Sequence, residues 1–178
     1  MAHPALDFLT LLDPSPDARF NVETLTDVAK GETRPSPDPL QQRFPNFSAK
    51  AVEGLLPRLT EINRQGAAVY IAVNQFNGQR KIENLERVRG VHADLDGVTP
   101  EQLEVLRNML EPTIAVQSSN ADKQHWYWLL SEGEELAAEL AKAVNQGLVS
   151  VGADKAAVDV ARILRLPGFH HMKSFKRG

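Results

Sequence analysis

Hydrophobic and polar positions divide the chain into segments of two periods. Val52, Leu55, Leu56, Leu59 and Ile62 recur at helical spacing, with Ser48 placed as an N-cap and Gly66 as a stop, so the pattern predicts a helix over residues 48–65. The same reasoning predicts helices over 4–12, over 99–110 with Thr99 as cap and Pro100 at the first position, and over 133–152, with a short one over 81–88. Strand patterns cover 18–27, read as an edge strand, then 67–76, read as a central one because it is almost wholly apolar, and 91–96. Residues 113–119 and 124–130 read as a hairpin, with Trp126 and Trp128 turned into the core. Four prolines over 30–45 predict a loop, and 154–173 reads as a short helix running into an extended stretch stopped by Pro167-Gly168. Strands alternating with helices, plus one hairpin, predict an α+β or α/β fold with a mostly antiparallel sheet.

The 178 residues suit one domain, and a 42% hydrophobic, 24% charged composition is that of a globular chain. No apolar run reaches the ~20 residues a membrane helix needs and no signal peptide is evident, so a cytoplasmic location without a membrane partner is expected. The chain has no cysteine, which leaves any metal to oxygen or imidazole ligands. The net charge is −3, yet residues 160–178 carry Arg162, Arg165, Lys173, Lys176 and Arg177 and no acid. A basic end on an acidic body is compatible with phosphate contacts at one place.

The candidate chemistry begins at "GVHADLDG", residues 90–97. On a strand, His92, Asp94 and Asp96 share one face and Val91, Ala93 and Leu95 the other. Two carboxylates at roughly 6.6 Å repel by about 2.5 kcal/mol at an effective dielectric of 20. A divalent cation between them would offset this, and hard oxygen ligands favour Mg²⁺ or Mn²⁺; simple hydration of an exposed face would do so too. His125 follows a polar turn, "SSNADKQ", whose hydroxyls and backbone amides can receive phosphate oxygens. Asp159, placed on the short helix with Arg162 one turn later, supplies a third acid, and Arg165 and Lys173 follow. Metal ligands, phosphate donors and a basic clamp together form the set that phosphoryl transfer requires.

"VRGVHADLDG", "PTIAVQSSNADKQHWYWLL" and "DVARILRLPGFHHMK" resemble, in order and spacing, the three motifs of the RepB-like primase domain of phage and plasmid replication proteins, a branch of the archaeo-eukaryotic primase (primase-polymerase) superfamily. The resemblance implies a primase-polymerase fold: an α/β N-terminal module joined to a sheet like that of an RNA-recognition motif (RRM), with flanking helices and the active site in the cleft between. It makes 1–178 a single catalytic domain, with an N-terminal part over 1–47 that includes the proline-rich loop 33–45 and a core over 48–173. Asp94, Asp96 and Asp159 become the catalytic acids and ligands of two Mg²⁺ or Mn²⁺ ions. His125, Ser118, Ser119, Lys123, Arg162, Arg165 and Lys173 become nucleotide-binding. The expected substrates are ribo- or deoxynucleoside triphosphates on a single-stranded DNA template, in the cytoplasm of a bacterial host of a mobile element. A helicase is expected as a further domain or subunit of a longer replication protein. The turn before His125 departs from the family's Ser-Pro-Gly type, which bears on Ser118, Ser119 and Lys123. Two other readings compete: a non-catalytic RRM-like module stacking bases on Tyr70, Tyr127 or Phe76, and a rolling-circle nicking enzyme using paired histidines and a tyrosine. The residues assign no role to His92, His170 or His171.

Overall fold

The structure, a computed structural model, describes residues 3–29, 31–118 and 122–173. It opens with helix α1 (Pro4–Leu12), then strands β1 (Phe20–Thr26) and β2 (Gln42–Phe47), helix α2 (Ala49–Arg64) and strand β3 (Ala67–Ala72). Two short strands, β4 (Gln75–Phe76) and β5 (Leu85–Arg87), lead to β6 (Gly90–Asp96), α3 (Pro100–Met109), β7 (Ile114–Gln117), β8 (Lys123–Leu129), α4 (Ala138–Leu148) and β9 (Ile163–Arg165). All pairings between these strands are antiparallel, in sheets of order β2-β1-β3-β9, β4-β5 and β6-β8-β7.

The caps read from the sequence are in place. The Ser48 side chain accepts from Ala51 N–H, and Thr99 and Gln102 form a reciprocal capping box at α3. Trp126 and Trp128 are buried with Val91, Ala93 and Leu95 under α3 and α4. The opposite face of the β6-β8-β7 sheet sends Tyr127 and Ile114 into a second core with α1, α2 and the inner side chains of β1 and β3. The two large sheets are thus held by one shared core, and the cleft opens where β6, β8 and β9 end beside each other. Gly90 starts β6 because a Cβ there would meet the Trp128 carbonyl oxygen at 2.2 Å.

Five sequence expectations need correction. β1 is an interior strand between β2 and β3, which is why nearly all its residues are buried. The end of the loop expected over 30–45 instead belongs to the edge strand β2 (Gln42–Phe47), where Pro45 is tolerated because an edge residue can lack a ladder N–H. The helix expected over 81–88 is one 3₁₀ turn (Ile82–Asn84) followed by β5. The helix expected over 133–152 begins only at Ala138 and ends in a 3₁₀ turn over Val149–Val151. The short helix expected to carry Asp159 is a 3₁₀ turn over Lys155–Ala157, and Asp159 lies after it in a turn.

Candidate active site

Strand register builds the site. Asp94 lies opposite His125 and Asp96 opposite Lys123 on the β6–β8 pair, while Tyr70 of β3 lies opposite Arg165 of β9. These ends line one cleft of about 300 Å³ with Ser118, Arg162, His171 and Lys173. Two carboxylates there face four cations, Lys123, Arg162, Arg165 and Lys173, in a protein whose overall charge is negative. Such a cleft concentrates anions.

Asp94 is the more enclosed acid. Its side chain is 24% exposed against 50% for Asp96. Burial, offset in part by Arg162 and reinforced by Asp154 and Asp96, pushes the Asp94 carboxyl above its ordinary pKa. Asp96 has a cation already: Lys123 Nζ is 2.9 Å from its Oδ1. Lys123 therefore neutralises a carboxylate, and its ammonium is held above its usual pKa by that hydrogen bond.

His125 is 4% exposed, and its Nε2 stands 3.6 Å from Asp94 Oδ1, beyond hydrogen-bond range. Burial, with Arg165, His92 and Arg162 nearby, pulls its pKa down to about 4, so the ring facing the cleft is neutral. His92 lies beneath it, 1% exposed, and burial lowers its pKa to about 4 as well. Its Nε2 meets the Ala157 carbonyl oxygen at 2.8 Å and must carry the proton, since a carbonyl only accepts. Both imidazoles resist charging in the fold and charge freely once it opens. Between pH 6.5 and about 4 the unfolded chain binds protons that the native state refuses, so stability falls as pH drops through that window. The expected loss is about 3 kcal/mol per histidine, read as a fall in melting temperature below pH ~6.5. A pH-independent melting temperature down to pH ~4.5 would contradict the buried neutral state.

Asp159 does not line the cleft. Its Oδ1 accepts from Ala161 N–H at 2.7 Å, and its charge is felt by His92. Among the described residues no three acidic or imidazole side chains converge as a metal cluster. The two β6 carboxylates are therefore the hard-oxygen donors the fold offers, a set that fits Mg²⁺ or Mn²⁺. Ser119 lies outside the described residues.

The basic end divides into unlike members. Arg162 lines the cleft with no ion pair among the described residues. Arg165 is pinned: its Nη2 donates to Asp27 Oδ1 at 2.7 Å, and its guanidinium lies over the Tyr70 ring at 5.4 Å. Asp27, His171 and Tyr70 are components that sequence reasoning missed as part of this site. Asp27 is 138 residues away from Arg165, and no local pattern announces the contact.

Phe76 and Tyr127 are wholly buried and present no open stacking face, and Arg165 lies over one face of the Tyr70 ring. Tyr127 is equally unable to act as an exposed nucleophile for nicking, and of the two adjacent histidines His171, but not His170, lines the cleft. No helix among the described residues is long and apolar enough to cross a membrane.

Solved structures share this architecture. The chain aligns over 95% of its length with the primase RepB′ (20% identity, TM-score 0.69, 51% of that chain), and over 96% with the RepB′ catalytic domain solved in complex with initiator DNA (21%, 0.67, 78% of that chain). The AEP domain of the primase-polymerase of cyanophage S-2L matches over 96% as well (14% identity, TM-score 0.67, 83% of that chain). The fold is therefore that of a primase-polymerase. The chain belongs to the RepB DNA-primase N-terminal domain family, whose model matches residues 39–178. A replication protein of Clostridium perfringens is 28% identical over 130 residues, 65% of this chain, and the match spans 32% of that longer protein.

Proposed function

We propose that this domain joins nucleoside triphosphates on a single-stranded DNA template, making primers or DNA for the replication of a phage or plasmid. The observation that carries the reading is the division of one cleft into two strand-borne carboxylates on one side and Arg162, Arg165 and Lys173 on the other. In the reaction a 3′-hydroxyl oxygen bonds to the α-phosphorus, the bond from that phosphorus to the bridging oxygen breaks, pyrophosphate departs and the hydroxyl proton is lost to solvent. Asp94 and Asp96 would hold Mg²⁺ or Mn²⁺, which when bound supply Lewis-acid activation and charge neutralisation. Arg162 and Lys173 would take the triphosphate oxygens, and the neutral His125 would donate one ring N–H to a phosphate oxygen. Ser118 borders the same space and could add a hydroxyl donor. The resemblance would make Asp159 a third acid, although it does not line the cleft with Asp94 and Asp96. A helicase, as a further domain or subunit, would supply the unwound template.

His125→Ala is expected to weaken triphosphate binding and turnover by about tenfold, with divalent-metal binding retained. Calorimetry with Mn²⁺ alone and with Mn²⁺ plus triphosphate separates the two. Equal loss of both ligands would move His125 to the metal site.

A further inference from the structure

A buried carboxylate stands behind the basic side of the cleft. Asp27, immediately after β1, is 1% exposed. It takes the Arg165 guanidinium at 2.7 Å on Oδ1, and on Oδ2 the Met172 N–H at 3.0 Å, with His171 Nδ1 at 3.7 Å. One residue earlier, Asn63 of α2, 2% exposed, closes a second clasp. Its Oδ1 accepts from His170 N–H at 3.0 Å and its Nδ2 donates to the His170 carbonyl at 2.9 Å. Two buried polar side chains from the N-terminal sheet and helix thus grip residues 170–172 and, through Arg165, β9. The gripped segment is the one that brings His171 and Lys173 to the cleft wall.

We propose that Asp27 is a positioning residue for substrate binding: it fixes Arg165 and the 170–173 segment so that Arg165, His171 and Lys173 meet the triphosphate together. This rests on the reading of the cleft as a triphosphate site. The physical argument is preorganisation. A free arginine loses rotamer freedom when it is immobilised, and a side chain already held by a buried partner does not lose it again on binding. One guanidinium nitrogen is occupied by Asp27, and the fork keeps further N–H donors for phosphate.

The test uses the whole 178-residue chain, with ATP and dATP as probes in Mg²⁺, and reads dissociation constant, its salt dependence and melting temperature. Asp27→Asn keeps the shape and removes the charge that holds Arg165. Met172→Pro leaves Asp27 intact and deletes the N–H that it grips, while also fixing φ at 172 and restricting His171. Each is expected to weaken triphosphate binding about tenfold, and the loss from Asp27→Asn should be smaller when Arg165 is already alanine, since only the hold on Met172 then remains. Wild-type affinity and salt slope in folded Asp27→Asn, or in folded Met172→Pro if the first does not fold, overturns the proposal provided Arg162→Ala weakens binding. If Arg162→Ala also binds as wild type, the triphosphate reading itself falls and the role of Asp27 falls with it. A loss of melting temperature with unchanged affinity makes Asp27 a fold anchor only, and likewise overturns the proposal.

Discussion

Asp94→Asn and Asp96→Asn are each expected to reduce nucleotide incorporation to background, and the two are expected to differ in stability. Oxygen donors on β6 are few, and removing either leaves a divalent ion with one carboxylate where the cleft presents two. Asp94 is held above its ordinary pKa by burial, so in the native state its ionised form is disfavoured relative to the unfolded chain. The fold therefore binds the proton more tightly than the unfolded chain. Stability falls as pH rises from the ordinary carboxyl range through the raised value, and at neutral pH the ionised Asp94 costs the fold energy. Asparagine removes that cost, so Asp94→Asn should melt higher than wild type at neutral pH in the absence of metal. Asp96 is half-exposed and paired with Lys123, an ion pair of the kind worth under about 1 kcal/mol, so Asp96→Asn should leave melting nearly unchanged. Added Mg²⁺ or Mn²⁺ should raise the wild-type melting temperature and neither variant's. A folded Asp94→Asn that incorporates nucleotides at the wild-type rate contradicts the assignment.

Arg165→Ala is expected to destabilise the domain by about 3–5 kcal/mol, because it strands the buried charge of Asp27. At roughly 2–4 °C per kcal/mol for a chain of this size, the melting temperature should fall by about 10 °C. Arg162→Ala, whose guanidinium has no ion-pair partner among the described residues, should change stability by less than about 0.5 kcal/mol yet weaken triphosphate binding about tenfold. The two arginines look alike in the sequence; the structure ties one to a buried carboxylate and gives the other no ion-pair partner among the described residues. Arg165→Lys should recover only part of the stability, since lysine lacks the planar fork that reaches Asp27 and covers Tyr70. A melting curve of Arg165→Ala that overlays the wild type would show that Asp27 finds another partner.

What could be read from the chain follows the range of the interactions involved. The caps at Ser48 and Thr99 and the two faces of β6 are local, set within a few residues, and they appear as read. Asp94, Asp96 and His125 were legible because strand alternation fixes their face and hairpin geometry sets β7 beside β8. Errors arose where tertiary pairing overrode local pattern. Ile82, Leu85 and Val88 recur at three-residue intervals like a helix, yet Leu85–Arg87 pairs with β4. Pro45 reads as a loop signal, and only the strand's place at the sheet edge makes it harmless. Asp159 was set on a helix by its spacing from Arg162, whereas its carboxylate closes a turn on Ala161. The grip of Asp27 and Asn63 on the 165–172 segment is invisible for a simpler reason: those contacts span more than a hundred residues.

The function proposed for this cleft is phosphodiester synthesis. The direct measurement is synthesis by the purified 178-residue chain on single-stranded DNA, with labelled ribo- or deoxynucleoside triphosphates and either Mg²⁺ or Mn²⁺, resolved by product length beside Asp94→Asn. The proposed synthesis should give template-dependent products, with pyrophosphate released in proportion, from the wild type and none from the variant. Triphosphate and metal binding without any product from the folded wild type, under both metals and both sugars, would contradict it and leave the cleft as a binding site.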